Sequence, residues 1–599
     1  MKEKNKDKNS IVNLFLVVWK NTPSKKMVVF FIVLSVISQI VSLMEPIVIG
    51  RIFDSVQFAP DNPEIFKDLL RGFGLIALIE IGFWIFHGPA RIIERNNAFL
   101  TRKNFKEKLV TKTIDLPVVW HKNNHSGDTI DKIEKASMNL FYFAGEIFQL
   151  VGISVRLVGS IIILAIFDWR IIFITLVVAI FSISVIVFFD RILIKGYRKI
   201  FKAENFLSAG LYDYVGNIIT IITLRLKKRA MRDIEGRLMK AYPIHRKNIF
   251  LDEFKWFLVS MSILAMTLII LIFNAYESHK TTGVIVIGTL FVLYRYLFQI
   301  GTTFYTFAWK YSETVQQNEA VMAVEVIEKE YRKIKNFKKA DLPEKWKSIK
   351  ICDLNFDYEE ERIGEEEKIN FQVGNIKNIS LCFQRGQKVA FVGESGSGKS
   401  TILSLFRGLH QPSKAKVYCD GKLLKNGLRH LNNKSLLIPQ EPEIFNASAQ
   451  YNITMGAKMD KQKIQKAIEI ARFGEVVEKL KKGLETNVME KGVSLSGGQK
   501  QRLALARGIY VADEYDLILL DEPTSSVDSG NELKIYQNIF ENFKDKTIFS
   551  AIHRLHLLRY FDYVYFFKNG EIVTQGTFST LLKDESFGKL WQAYSKKEE

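Results

Sequence analysis

Cysteine is nearly absent from this chain, with three in 599 residues: Cys352, Cys382 and Cys419. All lie in the C-terminal half and no pair has metal-ligand spacing. That excludes a disulfide framework and leaves reduced core or strand thiols in a cytosolic domain. A signal-peptide core is also missing. Leu14–Val18 is too short, Met1–Lys8 is charged and polar, and no small-residue cleavage site follows closely, so no removal is expected. Acidic groups are in deficit, 64 against 84 Lys plus Arg, for a net charge of +20. Such an excess suits a nucleic-acid binder or a membrane protein with basic cytoplasmic loops. The placement of the charges decides between them.

The length calls for at least two domains. Long apolar runs dominate before about residue 320, and a soluble α/β pattern follows about residue 345. The expected division is 1–26 as a cytoplasmic N-terminus, 27–325 as a six-helix transmembrane domain, 326–344 as a linker and 345–599 as a nucleotide-binding domain. Six stretches approach the roughly 20 apolar residues that a spanning helix needs: Met27–Gly50, Gly72–Gly88, Phe148–Phe167, Ile171–Phe189, Trp256–Asn274 and Thr282–Thr303. Basic residues crowd the Arg91–Glu146 and Asp190–Lys255 connections, whereas Ile52–Leu70 holds one lysine against four acids. Positive charge marks the cytoplasmic side. Both long basic connections and both termini are therefore expected in the cytosol, and no nucleic-acid partner is required. A nucleic-acid ATPase would leave six apolar spans unexplained.

The long connections read as helical extensions of the spans, with short elements such as Leu116–Trp120 at their far ends. These are either contacts to a nucleotide-binding domain or ordinary loop structure. Ser10–Lys20 reads as an amphipathic helix in the membrane interface or a lead-in to the first span. Glu45, Glu80, Arg156 and Arg295 lie at or near membrane depth. Charges are costly there, so they mark a substrate path, pair with one another, or snorkel. The aromatic stripe from Tyr294 to Trp309 reads as packing and interface belt.

Gly393-Glu394-Ser395-Gly396-Ser397-Gly398-Lys399-Ser400 fits the G-x-x-x-x-G-K-[ST] phosphate loop. It follows the apolar run Val389–Val392 and precedes a helix expected to open at Thr401. Glycines let backbone N–H groups approach phosphates, and the helix N-terminus adds positive potential. Lys399 reaches the outer phosphates and the Ser400 hydroxyl suits Mg²⁺. Leu517–Leu520 is a buried parallel strand ending in Asp521 and Glu522. The first acid suits Mg²⁺, and the second suits a water attacking the γ-phosphate. Leu495-Ser496-Gly497-Gly498-Gln499 before a basic helix is a second anion-facing turn. Since the phosphate loop already serves this domain's nucleotide, the second turn suits one held by another copy. Lys350–Tyr358 reads as a strand, and the acidic run Glu359–Lys368 as a solvated hairpin or loop.

In their order and spacing these motifs resemble ATP-binding cassette (ABC) transporters. The resemblance rests on the phosphate loop, Gln440 in Ile438–Pro442, Val493–Arg502, Leu520–Asp528 and His553 in Ser550–Leu555. Six spans before one cassette match the exporter-type half-transporter, so the resemblance covers the whole chain. Thr486–Gly492, with Glu490, resembles an exporter-specific segment before the signature. The fold implied is a membrane α-helical domain of six transmembrane helices with long cytoplasmic extensions, plus an α/β P-loop ATPase domain of ABC type.

Residue by residue, the resemblance implies that Tyr358 stacks on adenine. Gly393, Glu394, Ser395, Gly396, Ser397, Gly398, Lys399, Ser400 and Thr401 wrap the phosphates of ATP. Ser400 and Gln440 ligate Mg²⁺, with Asp521 holding it through water. Glu522 is the general base and His553 contacts the γ-phosphate. Ser496, Gly497, Gly498 and Gln499 close on the opposite subunit's ATP, and Asp528 communicates between the sites. The chain is then expected to act as a dimer, a homodimer or a heterodimer. It would export a small-molecule, lipid or peptide substrate across the cytoplasmic membrane. An importer on the same fold and a non-transport membrane ATPase are the alternatives. Two departures stand out: the acidic insertion lengthens the stretch after Tyr358, and Met489 replaces a frequent glycine.

Overall fold

The computed structural model describes residues 10–59, 63–124, 126–335, 340–357, 362–363, 367–368, 375–488 and 495–598. The chain divides into two units. One holds residues up to 115 and 126–331, the other 116–125 and 332–599.

The first unit is helical throughout. Ser24 caps helix Lys25–Ser42 through the Met27 N–H. The first span then breaks at Leu43–Met44 and resumes as Glu45–Phe58, with Pro46 placed in its first turn, where its missing N–H costs nothing. Helix Ile65–Ile114 has 50 residues, about 75 Å at 1.5 Å per residue. It carries the second span well beyond a bilayer, as do Arg170–Gly216 and Tyr242–Thr282 for the fourth and fifth. Helices Ser126–Ala144 and Ile147–Phe167 flank a break at Gly145–Glu146.

Among the described residues, five helical stretches are long and apolar enough to cross a membrane. The sixth expected span is corrected at its start. Thr282 closes the preceding helix, Gly283 takes φ 71°, and the new helix runs Ile287–Met322. Its length suffices, but Tyr294, Arg295, Tyr296 and Gln299 lower its hydropathy. It is instead the best-buried helix of the bundle: Leu293, Tyr296, Leu297 and Ile300 are fully buried. The Tyr296 hydroxyl donates to the Leu43 carbonyl at 2.5 Å.

Charges at the helix breaks have work to do. Arg91 pairs with Glu94 and donates to the Gly145 carbonyl, while Glu94 accepts from the Phe148 N–H. One ion pair thus satisfies the end of one helix and the start of the next. Helix Ser10–Asn21 also differs from the interfacial reading. Leu14 and Val18 are fully buried and Asn13 donates to Asn318 at 2.6 Å, so its apolar face packs on protein.

The second unit has a six-stranded sheet in the order Glu571–Gly576, Tyr563–Lys568, Lys388–Gly393, Thr547–Ile552, Leu517–Asp521, Ser435–Ile438. Its pairings are parallel except at the first strand. Strands Lys388–Gly393 and Thr547–Ile552 are buried at every position, so helices or loops must cover both faces. A four-stranded antiparallel sheet is built on Ser348–Phe356 and Ile376–Gln384. Its Ile349, Ile351, Leu381 and Phe383 join Phe391 and Phe549 in one core cluster. The acidic insertion carries a two-residue antiparallel ladder, Arg362–Ile363 with Glu367–Lys368. All three cysteines are free.

Candidate functional site

The parallel strands end together, and the loops that follow them build the site. Strand Lys388–Gly393 leads into the glycine loop, where Gly393, Gly396 and Gly398 have φ of 153°, 80° and 105°. These angles favour glycine. A Cβ on Gly393 would also collide with the Phe567 carbonyl. Helix Lys399–Arg407 opens at Lys399, two residues earlier than expected, so its first N–H groups face the loop. The Lys399 ammonium is buried and donates to the carbonyls of Gly393 and Glu394 at 2.8 and 2.9 Å. Burial lowers its pKa. Glu394 and Ser395 are exposed. Among the described residues the buried Ser397 hydroxyl has no partner, and Thr401 is buried in the first turn of the helix. A polyphosphate fits this cradle of N–H groups and one ammonium.

Across the loop stand the acids. Asp521 ends strand Leu517–Asp521 and accepts from the Ser400 hydroxyl at 2.7 Å. Burial raises its pKa. Glu522 is held at φ 48°, a left-handed conformation costly for a side chain with a Cβ. The turn brings its carboxylate to the Gln440 amide at 2.9 Å and to His553 Nε2 at 2.6 Å. Residues from three separate strand ends therefore meet on one carboxylate. Ser400, Gln440 and Asp521 offer oxygen donors, which Mg²⁺ takes a few at a time alongside phosphate oxygens. No cluster of three His, Cys, Asp or Glu among the described residues forms a closed metal cage. The donors thus fit an ion shared with a nucleotide.

Ser496 caps helix Gly497–Ala512 in a reciprocal box with Gln499. Asp528 caps helix Ser529–Asn542 through the Asn531 N–H. Gly498 lies against the turn after Glu522, where a Cβ would stand 2.6 Å from the Ser526 carbonyl. Sequence reasoning passed over three supports. Gln501, inside the quoted signature, donates to Ser525 and accepts from the Ser526 N–H. Arg507 donates to Asn452 and the Glu443 carbonyl. Glu532, buried, accepts from Thr524 and Arg554. Tyr358, and the segment around Met489, Glu490, Val493 and Ser494, lie outside the described residues. The candidate path residues of the first unit do not form one cluster of ion pairs. Glu80 is exposed and accepts from Trp84 on its own helix, while Glu45, Arg156 and Arg295 make no ion pair among the described residues.

Family models agree with both halves of this reading. The model for the ABC transporter transmembrane region matches residues 28–304, and that for the ABC transporter matches 376–525. The chain belongs to the ABC transporter family. A multidrug resistance ABC transporter ATP-binding and permease protein of Lactococcus lactis is 26% identical over 489 residues, 80% of this chain and 79% of that protein. ABC transporter B family member 21 of Arabidopsis thaliana is 37% identical over 238 residues, 39% of this chain; the match spans only 18% of that longer protein. A solved bacterial Atm1-family ABC exporter with ATP bound has the same fold, with TM-score 0.79 over 95% of this chain and 98% of that one, at 20% identity.

Proposed function

We propose that this ABC transporter hydrolyses ATP to export a lipophilic or amphipathic substrate across the cytoplasmic membrane by alternating access. The observation that carries the reading is the convergence on Glu522 of Gln440 and His553, beside the Ser400–Asp521 bond and the glycine loop. In this scheme Gly393–Thr401 binds the phosphates and Lys399 neutralises their charge. Ser400, Gln440 and Asp521 would hold Mg²⁺, which supplies charge stabilisation at the transferring phosphoryl group. Glu522 takes the proton of the attacking water, and His553 holds that carboxylate's far oxygen and meets the γ-phosphate. Ser496–Gln499 and Asp528 face a nucleotide on a second copy, which makes a homodimer the working unit. Both termini then lie in the cytosol.

The test is ATP-dependent accumulation of lipophilic dyes and labelled lipids in inside-out vesicles, with Glu522→Gln as control. Loss of a general base lowers turnover by roughly 10²–10⁴-fold, while ATP binding persists. Accumulation lost in the control supports export. Normal hydrolysis by the control overturns the base assignment, and turnover with uptake only in right-side-out vesicles overturns export.

A further inference from the structure

Glu522 needs more support than its strand supplies. Its backbone sits at φ 48°, a strained setting that persists only where the surrounding structure over-determines it. The chain that follows closes a turn. The Ser525 N–H donates to the Glu522 carbonyl at 3.2 Å, and the Val527 N–H to the Thr524 carbonyl at 2.9 Å. Ser525 and Ser526 are exposed, so burial does not hold the tip of this turn. The Glu522 carboxylate depends in addition on the Gln440 amide, which sits on a different loop.

One side chain reaches both the turn and that loop. Gln501 lies in the second turn of helix Gly497–Ala512 and is only 6% exposed. Its amide nitrogen donates to the Ser525 hydroxyl at 2.8 Å and to the Gln440 carbonyl at 3.3 Å. Its amide oxygen accepts from the Ser526 N–H at 2.8 Å. Both N–H bonds and the oxygen are therefore in use, and the Ser526 N–H decides which end of the amide is oxygen. Gly498 stands three residues earlier on the same helical face. It lies against the same turn, where a Cβ would stand 2.6 Å from the Ser526 carbonyl. The glycine lets the helix approach, and the glutamine clamps the turn to it. An apolar side chain of the same length would fill the space and hold neither the turn nor the Gln440 loop.

We propose that Gln501 is a positioning residue for ATP hydrolysis. Through Ser525 and Ser526 it fixes the turn that sets the Glu522 backbone. Through the Gln440 carbonyl it fixes the loop that holds the Glu522 carboxylate. It acts through those residues rather than on the nucleotide. Placing a base on its water matters for turnover and not for holding ATP, so its loss is read in kcat. The helix that opens with Ser496–Gln499 thereby also steadies this chain's own base. The assignment rests on Glu522 being that base.

The test uses the full chain in phosphatidylcholine nanodiscs. Phosphate release is followed across a range of ATP concentrations, and the affinity for trinitrophenyl-ATP and the unfolding temperature are read on each variant. Gln501→Met keeps the length and loses every hydrogen bond. It should lower kcat about tenfold or more, with KM and the analogue's affinity little changed. Gln501→Asn keeps the amide but is too short to span both loops, so it should resemble Gln501→Met. Ser525→Ala removes one end of the clamp from an exposed position and should lower kcat by less. Added to Gln501→Met it should cost almost nothing further, because the two share one contact. An unchanged kcat in Gln501→Met overturns the proposal, as does a loss carried by KM alone or strict additivity with Ser525→Ala. If Gln501→Met does not fold, Ser525→Ala decides alone, and unchanged turnover in it overturns the clamp. Glu522→Gln is measured in parallel. Normal turnover in that variant overturns the base reading itself, whereas normal turnover in Gln501→Met beside an inactive Glu522→Gln overturns only the positioning role.

Discussion

Replacing Arg554 by alanine tests how the cassette holds its hydrolytic loop. Arg554 follows His553 and donates to the buried Glu532 carboxylate at 2.9 Å, whose other oxygen accepts from Thr524 at 2.7 Å. The triad ties the turn after Glu522, the helix Ser529–Asn542 and the His553 loop together. Breaking a fully buried ion pair costs about 3–5 kcal/mol because a charge is left behind. Here the arginine side chain is 32% exposed, and Thr524 stays in place. A loss of about 2–3 kcal/mol is therefore expected after discounting for solvent. At roughly 2–4 °C per kcal/mol for a domain of this size, the cassette's unfolding temperature should fall about 5–10 °C. Scanning fluorimetry of the purified chain measures it, and the cassette transition is recognised by its upward shift with ATP. Adding Glu532→Gln should recover part of the loss, because the stranded charge is then gone. A shift under about 2 °C, or strict additivity of the two substitutions, would refute the reasoning.

Two further outcomes follow from the cassette. Gly498→Ala places a methyl 2.6 Å from the Ser526 carbonyl and 3.7 Å from Val527 Cα, backbone that cannot swing aside. It should cost about 1–3 kcal/mol of strain and lower ATP turnover roughly tenfold per 1.4 kcal/mol that reaches the transition state, read by phosphate release. Lys388 is buried, donates to the carbonyls of Gly386, Phe543, Lys544 and Lys546, and has its pKa pushed down to about 8 by burial, with Asp562 and Asp545 opposing. The unfolded chain then holds this proton more tightly between about pH 8 and about pH 10.5. Stability contributed by this group should rise with pH across that window, by up to ~3 kcal/mol. Lys388→Met should flatten that slope in melts at stepped pH.

The cassette was legible where chemistry imposes local order. The run Val389–Val392 predicts the strand Lys388–Gly393, and the glycine pattern predicts a turn whose φ values only glycine adopts freely. The end of Leu517–Leu520 predicts a strand-end acid, and Asp521 occupies it. What stayed hidden was anything set by distant partners. Gln440 and Glu522 are 82 residues apart, and Lys310 and Glu146 are 164 apart. No periodicity reports such pairs. The Thr282 boundary failed for a local reason: apolar Val284–Ile287 ran past Gly283, whose αL turn ends the preceding helix.

The same contrast explains why the two halves differ in what they reveal. Phosphate is bound mainly by backbone N–H groups, and backbone geometry is dictated by short runs of residue types, so an ATP site leaves a contiguous signature. A site between membrane helices is assembled from single side chains one or two turns apart on different elements. Its signature is a deficit, a charge at depth whose neighbours offer no counter-charge. Arg91, Lys255, Lys310, Arg156 and Arg295 look alike in sequence. Among the described residues, folding gives the first three a carboxylate partner and the last two none.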